Sequence, residues 1–276
     1  MNHVDLLLGT ADVSLLAFAH PPEDVHRDPE AEVALHDSIN FVDGGTFDIR
    51  ADGRTWRFGP GAVFVTTRGM EFSCTHDDEM PTDRCLTVRF AERAVEDLLG
   101  ADVPPLRPPP AAVAPRQRWL RGQLLSCVPG DEVRLELLAG ALFASLAEVA
   151  SPRRAPTRWH TTALMRRIDR AVLLVESDYA RALTLDELAR AAGLSRFHFA
   201  RAFRALTGVP PHRYLTAVRL RHAARRLRDG ASVTHTCYDV GFGSLGHFVT
   251  TFAQRFGVRP SDVKRGARVP VLRAVR

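Results

Sequence analysis

The sequence predicts an α+β chain of two domains, a β-rich half followed by an all-α half in which one helical unit is used twice. Three observations carry this. A helical pattern recurs at a fixed offset between Thr184 and Pro260. Between about Val33 and Phe90 the hydrophobic period is two. The halves also differ in charge: residues 165–276 hold 21 Lys/Arg against 8 Asp/Glu, and residues 1–164 hold 16 against 24. A basic half beside an acidic one implies a polyanionic partner at one end only.

The first copy of the repeat, TLDELARAAGLSRFHFARAFRALTGVPP, runs from Thr184 to Pro211. The second, SVTHTCYDVGFGSLGHFVTTFAQRFGVRP, runs from Ser232 to Pro260. Gly193 aligns with Gly241; after an insertion at Gly243, Ser195 aligns with Ser244, Phe199 with Phe248, Phe203 with Phe252, and Gly208 with Gly257. Each copy spells a helix, a tight turn and a second helix. Thr184 with Glu187 fits a capping box. Leu185, Leu188, Ala189 and Ala192 then recur on one helical face. Gly193 suits a helix end at positive φ, and Ser195 suits the N-cap of the next helix. Two helices joined by a short Gly-containing turn form a helix-turn-helix, whose second helix can enter a DNA major groove. One such copy reads as an ordinary helical hairpin; two matched copies in a basic domain point to DNA.

A basic helix joins the copies. Pro210 and Pro211 open it, HRYLTAVRLRHAARRLR continues it, and Asp229-Gly230 stops it. It would hold the two modules at one separation. If that separation matches one turn of duplex, about 34 Å, both second helices reach successive grooves on one face. Every cation except Lys264 is Arg, which suits bidentate contacts to phosphate and guanine but fits a codon bias equally.

In the first half, residues 1–30 carry no strong pattern. Beyond them Phe47 and Ile49, Trp56 and Phe58, Val63 and Val65, Phe72 and Cys74, and Leu86, Val88 and Phe90 alternate with polar or small neighbours. Turn signals at Asp43-Gly44-Gly45, Asp52-Gly53, Gly59-Pro60-Gly61 and Arg68-Gly69 separate the runs. Many short strands so spaced predict a small antiparallel barrel or jelly roll. From Ala91 the pattern turns helical. A Pro-rich break follows at 104–115, and then two more helices, the later one over about Asp131 to Val149 with a wide apolar face. That face suits packing on the β domain and a dimer helix equally. SPRRAPTRWH at 151–160 reads as a linker.

The region from about Leu164 to Arg265 resembles the DNA-binding domain of the AraC/XylS family of bacterial transcription regulators. LTLDELARAAGLSRFHFARAFRALTGVPPHRYLTAVRLRHAARRL and DVGFGSLGHFVTTFAQRFGVRPSD carry the likeness, through Gly193, Ser195, Phe199, Phe203, Gly208, Arg219, Gly241, Phe242, Phe248, Phe252, Gly257 and Pro260. FDIRADGRTWRFGPGAVFVTTRG is similar to the cupin-type effector domain common in such regulators. The resemblance implies a cupin-like β-barrel with flanking helices over 1–150, a linker over 151–160, and a double helix-turn-helix domain over 161–268. It implies groove-facing positions at Arg196, Phe197, Ala200 and Arg201, with Arg204 one turn on. Arg201 is the candidate base reader, and Arg196 and Arg204 are candidate phosphate contacts. In the second module the equivalent positions are Leu245, Gly246, Val249 and Thr250, few of them donors. Contacts to thymine methyls and backbone docking by Arg255 and Arg259 would serve there, so specificity leans on the first module. The implied partners are operator DNA, RNA polymerase if the chain activates, a small-molecule effector in the barrel and a second copy in a homodimer, with no cofactor and no membrane.

Cys74, His76 and Cys85 form the one grouping with metal-like or redox-like character. Cys74 and His76 share a strand face and Cys85 opens the next strand, so a hairpin could assemble a soft N/S site or a thiol pair. Buried strand cysteines explain the same residues. The chain carries no phosphate-cradling Gly loop, no H-E-x-x-H and no nucleophile elbow, and its His are scattered. A cupin-type metal-dependent enzyme, or a Cys-based metal, redox or alkylation sensor fused to a DNA-binding module, stays the alternative. The N-terminus lacks a basic n-region, and the longest apolar stretch, Leu137 to Ala147, is too short to span a bilayer. A cytoplasmic chain is expected.

Overall fold

The computed structural model describes residues 3–20, 31–76, 83–99, 111–112, 114–149, 162–267 and 269. It divides into two compact units, Met1–Pro152 and Arg153–Arg276. Residues 151–160, expected to be a linker, lie outside the described residues.

The first unit runs β1 (His3–Gly9), β2 (Val13–Ala19), β3 (Glu32–Val33), β4 (Asp37–Gly44), β5 (Phe47–Ala51), β6 (Arg54–Phe58), β7 (Ala62–Thr66), β8 (Glu71–His76), β9 (Arg84–Phe90), α1 (Glu92–Leu99), β10 (Ala111–Ala112), α2 (Pro115–Leu125) and α3 (Glu132–Val149). All ladders are antiparallel. One sheet has the order β1-β2-β9-β4-β7-β10 and the other β3-β8-β5-β6. The expected closed barrel is therefore corrected to two separate sheets. Closure requires the ladder to continue around the ring. Here the chain instead crosses between sheets at the connections after β3, β4, β6 and β7, and no ladder among the described residues joins the two sets of edges.

Alternation along each strand divides the core into two layers. Val42 and Cys85 of the larger sheet meet Phe47, Ile49 and Phe58 of the smaller one, with Phe18, Trp56, Phe64 and Phe72 packed around them. On its other face the larger sheet buries Leu15, Ile39, Phe41, Val63, Leu86, Val88 and Phe90. Phe90 there meets Phe143 of α3 edge to face, with ring centroids 5.4 Å apart. Val133, Leu135, Leu138, Leu142, Phe143 and Leu146 of α3 are all buried, so this unit's own core consumes the wide apolar face of the helix.

Residues 3–9 and 13–19, where no pattern was expected, form a paired hairpin. Val13, Leu15 and Leu16 are buried although they lie on both faces of β2. Burial on both faces erases the alternation by which a strand is recognised.

The second unit is α4 (Thr162–Asp178), α5 (Leu185–Ala192), α6 (Arg196–Thr207), α7 (Pro211–Arg228), α8 (Val233–Asp239), α9 (Leu245–Phe256) and α10 (Pro260–Lys264). Helices α5/α6 and α8/α9 are the two copies of the repeat, and α7 joins them. No described helix is long and apolar enough to cross a membrane.

Candidate nucleic-acid interface

Each module is built by the same local chemistry. At the turn after α5, Gly193 lies at φ 63°. Leu194 N–H donates to Ala189 O at 3.0 Å, and Gly193 N–H to Arg190 O at 2.9 Å. At the turn after α8, Gly241 lies at φ 88°. Phe242 N–H donates to Cys237 O at 3.0 Å, and Gly241 N–H to Tyr238 O at 3.0 Å. Both turns thus close orphan carbonyls through a left-handed residue. The next helix is capped alike in both: Ser195 Oγ accepts from His198 N–H and Ser244 Oγ from His247 N–H, each at 3.4 Å.

Aromatic residues fix each second helix on its own module. Phe199, Phe203 and Tyr214 stand at centroid separations of 5.3 and 5.4 Å. In the second module Phe242, Phe248, Phe252 and Phe256 form a longer series at 5.2, 5.7 and 4.7 Å. Phe199, Phe203, Phe248, Phe252 and Phe256 are fully buried. The inner face of each helix is thereby committed, and the polar positions between must face outward.

Arg219 of α7 sets one module against the other. Its Nε donates to Tyr179 O at 2.8 Å and its Nη2 to Arg181 O at 2.9 Å, clasping the loop between α4 and α5. Burial lowers the pKa of this guanidinium from its ordinary value. Gly241 of the second module rests on the same loop, where a Cβ would come within 2.3 Å of Ala180 O. An ion pair from Arg221 to Glu176, with Tyr214 Oη donating to Glu176 at 3.3 Å, ties α7 to α4. The joining helix is therefore locked to the first module at its centre and touched by the second module's turn.

The expected reading positions differ in what they present. On α6, Arg196, Phe197, Arg201 and Arg204 are exposed and Ala200 is half-buried. Phe197 is 78% exposed, an unusual state for a large aromatic in the first turn of a helix. Arg196 makes a bidentate pair with Asp186 of α5, at 2.9 Å on both arms. That pair occupies the guanidinium fork and braces α5 against α6. On α9, Gly246 and Thr250 are exposed and Leu245 and Val249 half-buried. Arg255 is half-buried with its guanidinium 5.8 Å from the Phe256 ring centroid, and burial lowers its pKa. Arg259 is exposed.

The modules also differ in how firmly the first helix is held. Thr184 and Glu187 form a complete capping box, and Arg181 Nη1 donates to Glu187 at 2.9 Å. The Thr184 backbone N–H, then Arg181 and the Thr184 hydroxyl, bring the Glu187 carboxyl down to about 2. In α8, Ser232 makes no side-chain cap bond. Thr236 is fully buried there, with no hydrogen-bond partner for its hydroxyl among the described residues. An apolar residue would fit this place better.

Cys74 and Cys85, the candidate soft ligands, lie on opposite sheets of the first unit within one apolar cluster. Burial, with Asp83 adding to it, pushes both thiols up to about 12. A neutral thiol is a poor metal ligand and a poor nucleophile. The side chain of His76 lies outside the described residues, and among the described residues no three His, Cys, Asp or Glu converge on a metal-sized site.

A helix-turn-helix domain family model matches residues 188–266. An AraC-like transcription regulator of Streptomyces lividans is 28% identical over 232 residues, covering 83% of this chain and 72% of that protein. The chain belongs to the AraC family of transcription regulators. It is an AraC-type DNA-binding transcription regulator rather than an enzyme. The AraC-type likeness is greater over the double module alone. The transcriptional activator RhaS of Escherichia fergusonii is 33% identical over 103 residues, which cover 36% of this chain and 36% of RhaS. A solved AraC family regulator from Rhodopseudomonas palustris has 31% identity over 37% of this chain and 98% of its own, with a TM-score of 0.35.

Proposed function

We propose that this AraC-type regulator reads its operator mainly through α6 and docks α9 on the adjacent backbone. The observation that carries the reading is the difference between the two outward faces. The first offers exposed Arg201 and Arg204 beside an exposed Phe197; the second offers Gly246 and Thr250. Arg201 is the base reader, because its fork can pair with guanine O6 and N7. Arg204 takes a phosphate, whereas Arg196 braces the module through Asp186 and reaches phosphate only by giving up that pair. Ala200 and Phe197 meet thymine methyls. Leu245, Gly246, Val249 and Thr250 lie close against the second groove, positioned by Arg255 and Arg259.

In this reading residues 1–150 form the sensory part, 151–160 the linker and 161–268 the DNA-binding part of a cytoplasmic protein. A small-molecule effector bound between the sheets shifts the balance between DNA-competent and incompetent states. Homodimerisation and a contact with RNA polymerase belong to the same reading. With the apolar face of α3 buried in its own core, a dimer would form through another surface.

The test is Arg201→Ala on a selected operator and on single-base variants of it. Loss of about 1–3 kcal/mol, with discrimination relaxed at one base pair, supports the assignment. A uniform loss on every sequence contradicts it and makes Arg201 a phosphate contact.

A further inference from the structure

Three successive carbonyls of the loop between α4 and α5 are each committed to a group elsewhere in the second unit. Those of Tyr179 and Arg181 accept from Arg219 Nε and Nη2 at 2.8 and 2.9 Å. The carbonyl between them, of Ala180, lies against Gly241 in the second module's turn, so close that a Cβ there would stand 2.3 Å from its oxygen. The Tyr179 ring gives a further hold on α7. It stacks on His222, three residues beyond Arg219, with centroids 3.9 Å apart and planes 8° from parallel. The loop thus grips one face of α7 at two positions and touches the second module with the carbonyl in between.

The same loop is fixed to α6. Arg181 pairs with Asp178 at the end of α4 and with Glu187 of α5, at 2.8 and 2.9 Å. Asp186, beside Glu187, takes both arms of Arg196 on α6. On the far side, the turn that holds Gly241 runs into Ser244, the cap of α9. A path of direct contacts therefore leads from α6 through the loop to the start of α9. By itself α7, 18 residues and about 27 Å long, sets how far apart the modules stand but not the angle at which each is carried. Its apolar contact with α8 and α10 is non-directional. Its ion pair to the second module, Arg226 with Asp239, is exposed at both ends and holds an angle weakly.

We propose that Arg219 is a positioning residue for operator spacing: by clasping the 179–181 loop it fixes the rotation of α9 relative to α6. It thereby selects the separation and helical phase of the two DNA segments that the protein accepts. The inference rests on the reading in which α6 and α9 engage successive segments, and it adds what sets their spacing. One base pair more or less between the segments shifts them by about 3.4 Å and rotates them by about 34°. To follow that rotation, the second module must carry Gly241 across Ala180 O or pull the loop from Arg219. The planar guanidinium resists this, because two charge-assisted bonds to carbonyls two residues apart fix both position and orientation. A lysine ammonium keeps the charge but not the fork.

The test is the affinity of the full chain for a set of duplexes that carry the selected operator with single base pairs added or removed between its two segments. The parent should bind one spacing at least about tenfold more tightly than its neighbours. In Arg219→Ala that preference should shrink to within about threefold, whatever happens to the affinity at the best spacing. Arg219→Lys, which retains the charge, should flatten the profile as well, since a phosphate contact would survive this change and the clasp would not. His222→Leu leaves both hydrogen bonds in place and removes only the stack on Tyr179; it should flatten the profile in the same direction and keeps the test open if Arg219→Ala does not fold. Circular dichroism reports folding of each variant. Loss by one common factor at every spacing, in folded variants, overturns the assignment and leaves the docking of both modules intact. A parent indifferent to spacing overturns the assignment together with the two-segment reading on which it rests.

Discussion

Gly193 and Gly241 occupy one position of the repeat, yet alanine should cost very different amounts at the two. At Gly193 the nearest atom to a built Cβ is Arg170 Nη2 at 3.8 Å, an ordinary contact. Only the left-handed backbone opposes the substitution there, at about 1–2 kcal/mol, partly offset by the lower entropy of the unfolded chain. At Gly241 the same backbone term applies, but the Cβ also lies 2.3 Å from Ala180 O and 3.0 Å from Arg219 Nη2. The 179–181 loop must move, and Arg219 holds that loop by two hydrogen bonds. Overpacking costs about 1–3 kcal/mol, and weakening charge-assisted bonds adds about 1.5–3 kcal/mol. The expected totals are about 1 kcal/mol for Gly193→Ala and about 3.5–7 kcal/mol for Gly241→Ala. Urea unfolding followed at 222 nm, where helix dominates, measures both. In an Arg219→Ala background the cost of Gly241→Ala should shrink, since the loop is then free to yield. Equal costs at the two glycines, or strict additivity with Arg219→Ala, would refute the picture of two modules wedged against one shared loop.

Three further outcomes follow from the same structure. Thr236→Val should stabilise the second unit by about 1 kcal/mol, because it removes a buried hydroxyl without a partner; a lower melting temperature would show that the hydroxyl is satisfied in solution. Glu187 is ordinary when unfolded and titrates near 2 when folded. Its stabilising contribution is complete above about 4.5 and is lost as pH falls toward 2, so the stability gap between the parent and Glu187→Gln should close over that window. A gap independent of pH would contradict the capping role. Cys74 and Cys85, raised from 9.0 to about 12, should resist alkylation at pH 8 until the chain unfolds. Their thiolate fraction falls on the order of a thousandfold. Rapid labelling in the folded protein would restore the redox-sensor alternative.

The second unit was legible because its information is local and duplicated. Gly193 with Ser195, and Gly241 with Ser244, spell turn and cap within a few residues, and a second copy removes the ambiguity of one. The clasp of Arg219 on the 179–181 loop was not legible, since it joins positions forty residues apart in sequence. Asp186 as the partner of Arg196 likewise depends on the angle between α5 and α6. In the first unit the alternation of Phe47/Ile49 and Leu86/Val88/Phe90 gave the strands, but period two cannot say which face meets a sheet and which meets a helix. That choice decides where Ser38, Asn40 and Thr87 point, and hence whether they line an interior. Val13–Ala19 escaped because it is buried on both faces. The barrel was anticipated from strand spacing, which two open sheets share.

The most direct test of the account is selection of bound genomic fragments by the full chain, followed by binding to the winning operator with the spacing between its two segments varied. Two contacted segments about one helical turn (34 Å) apart are expected, with the sharper base preferences in the one facing α6. Inserting half a turn should then cost most of the specific affinity, since Arg219 and Gly241 fix the modules. A site that tolerates the insertion, or one with its strongest preferences under α9, would contradict it.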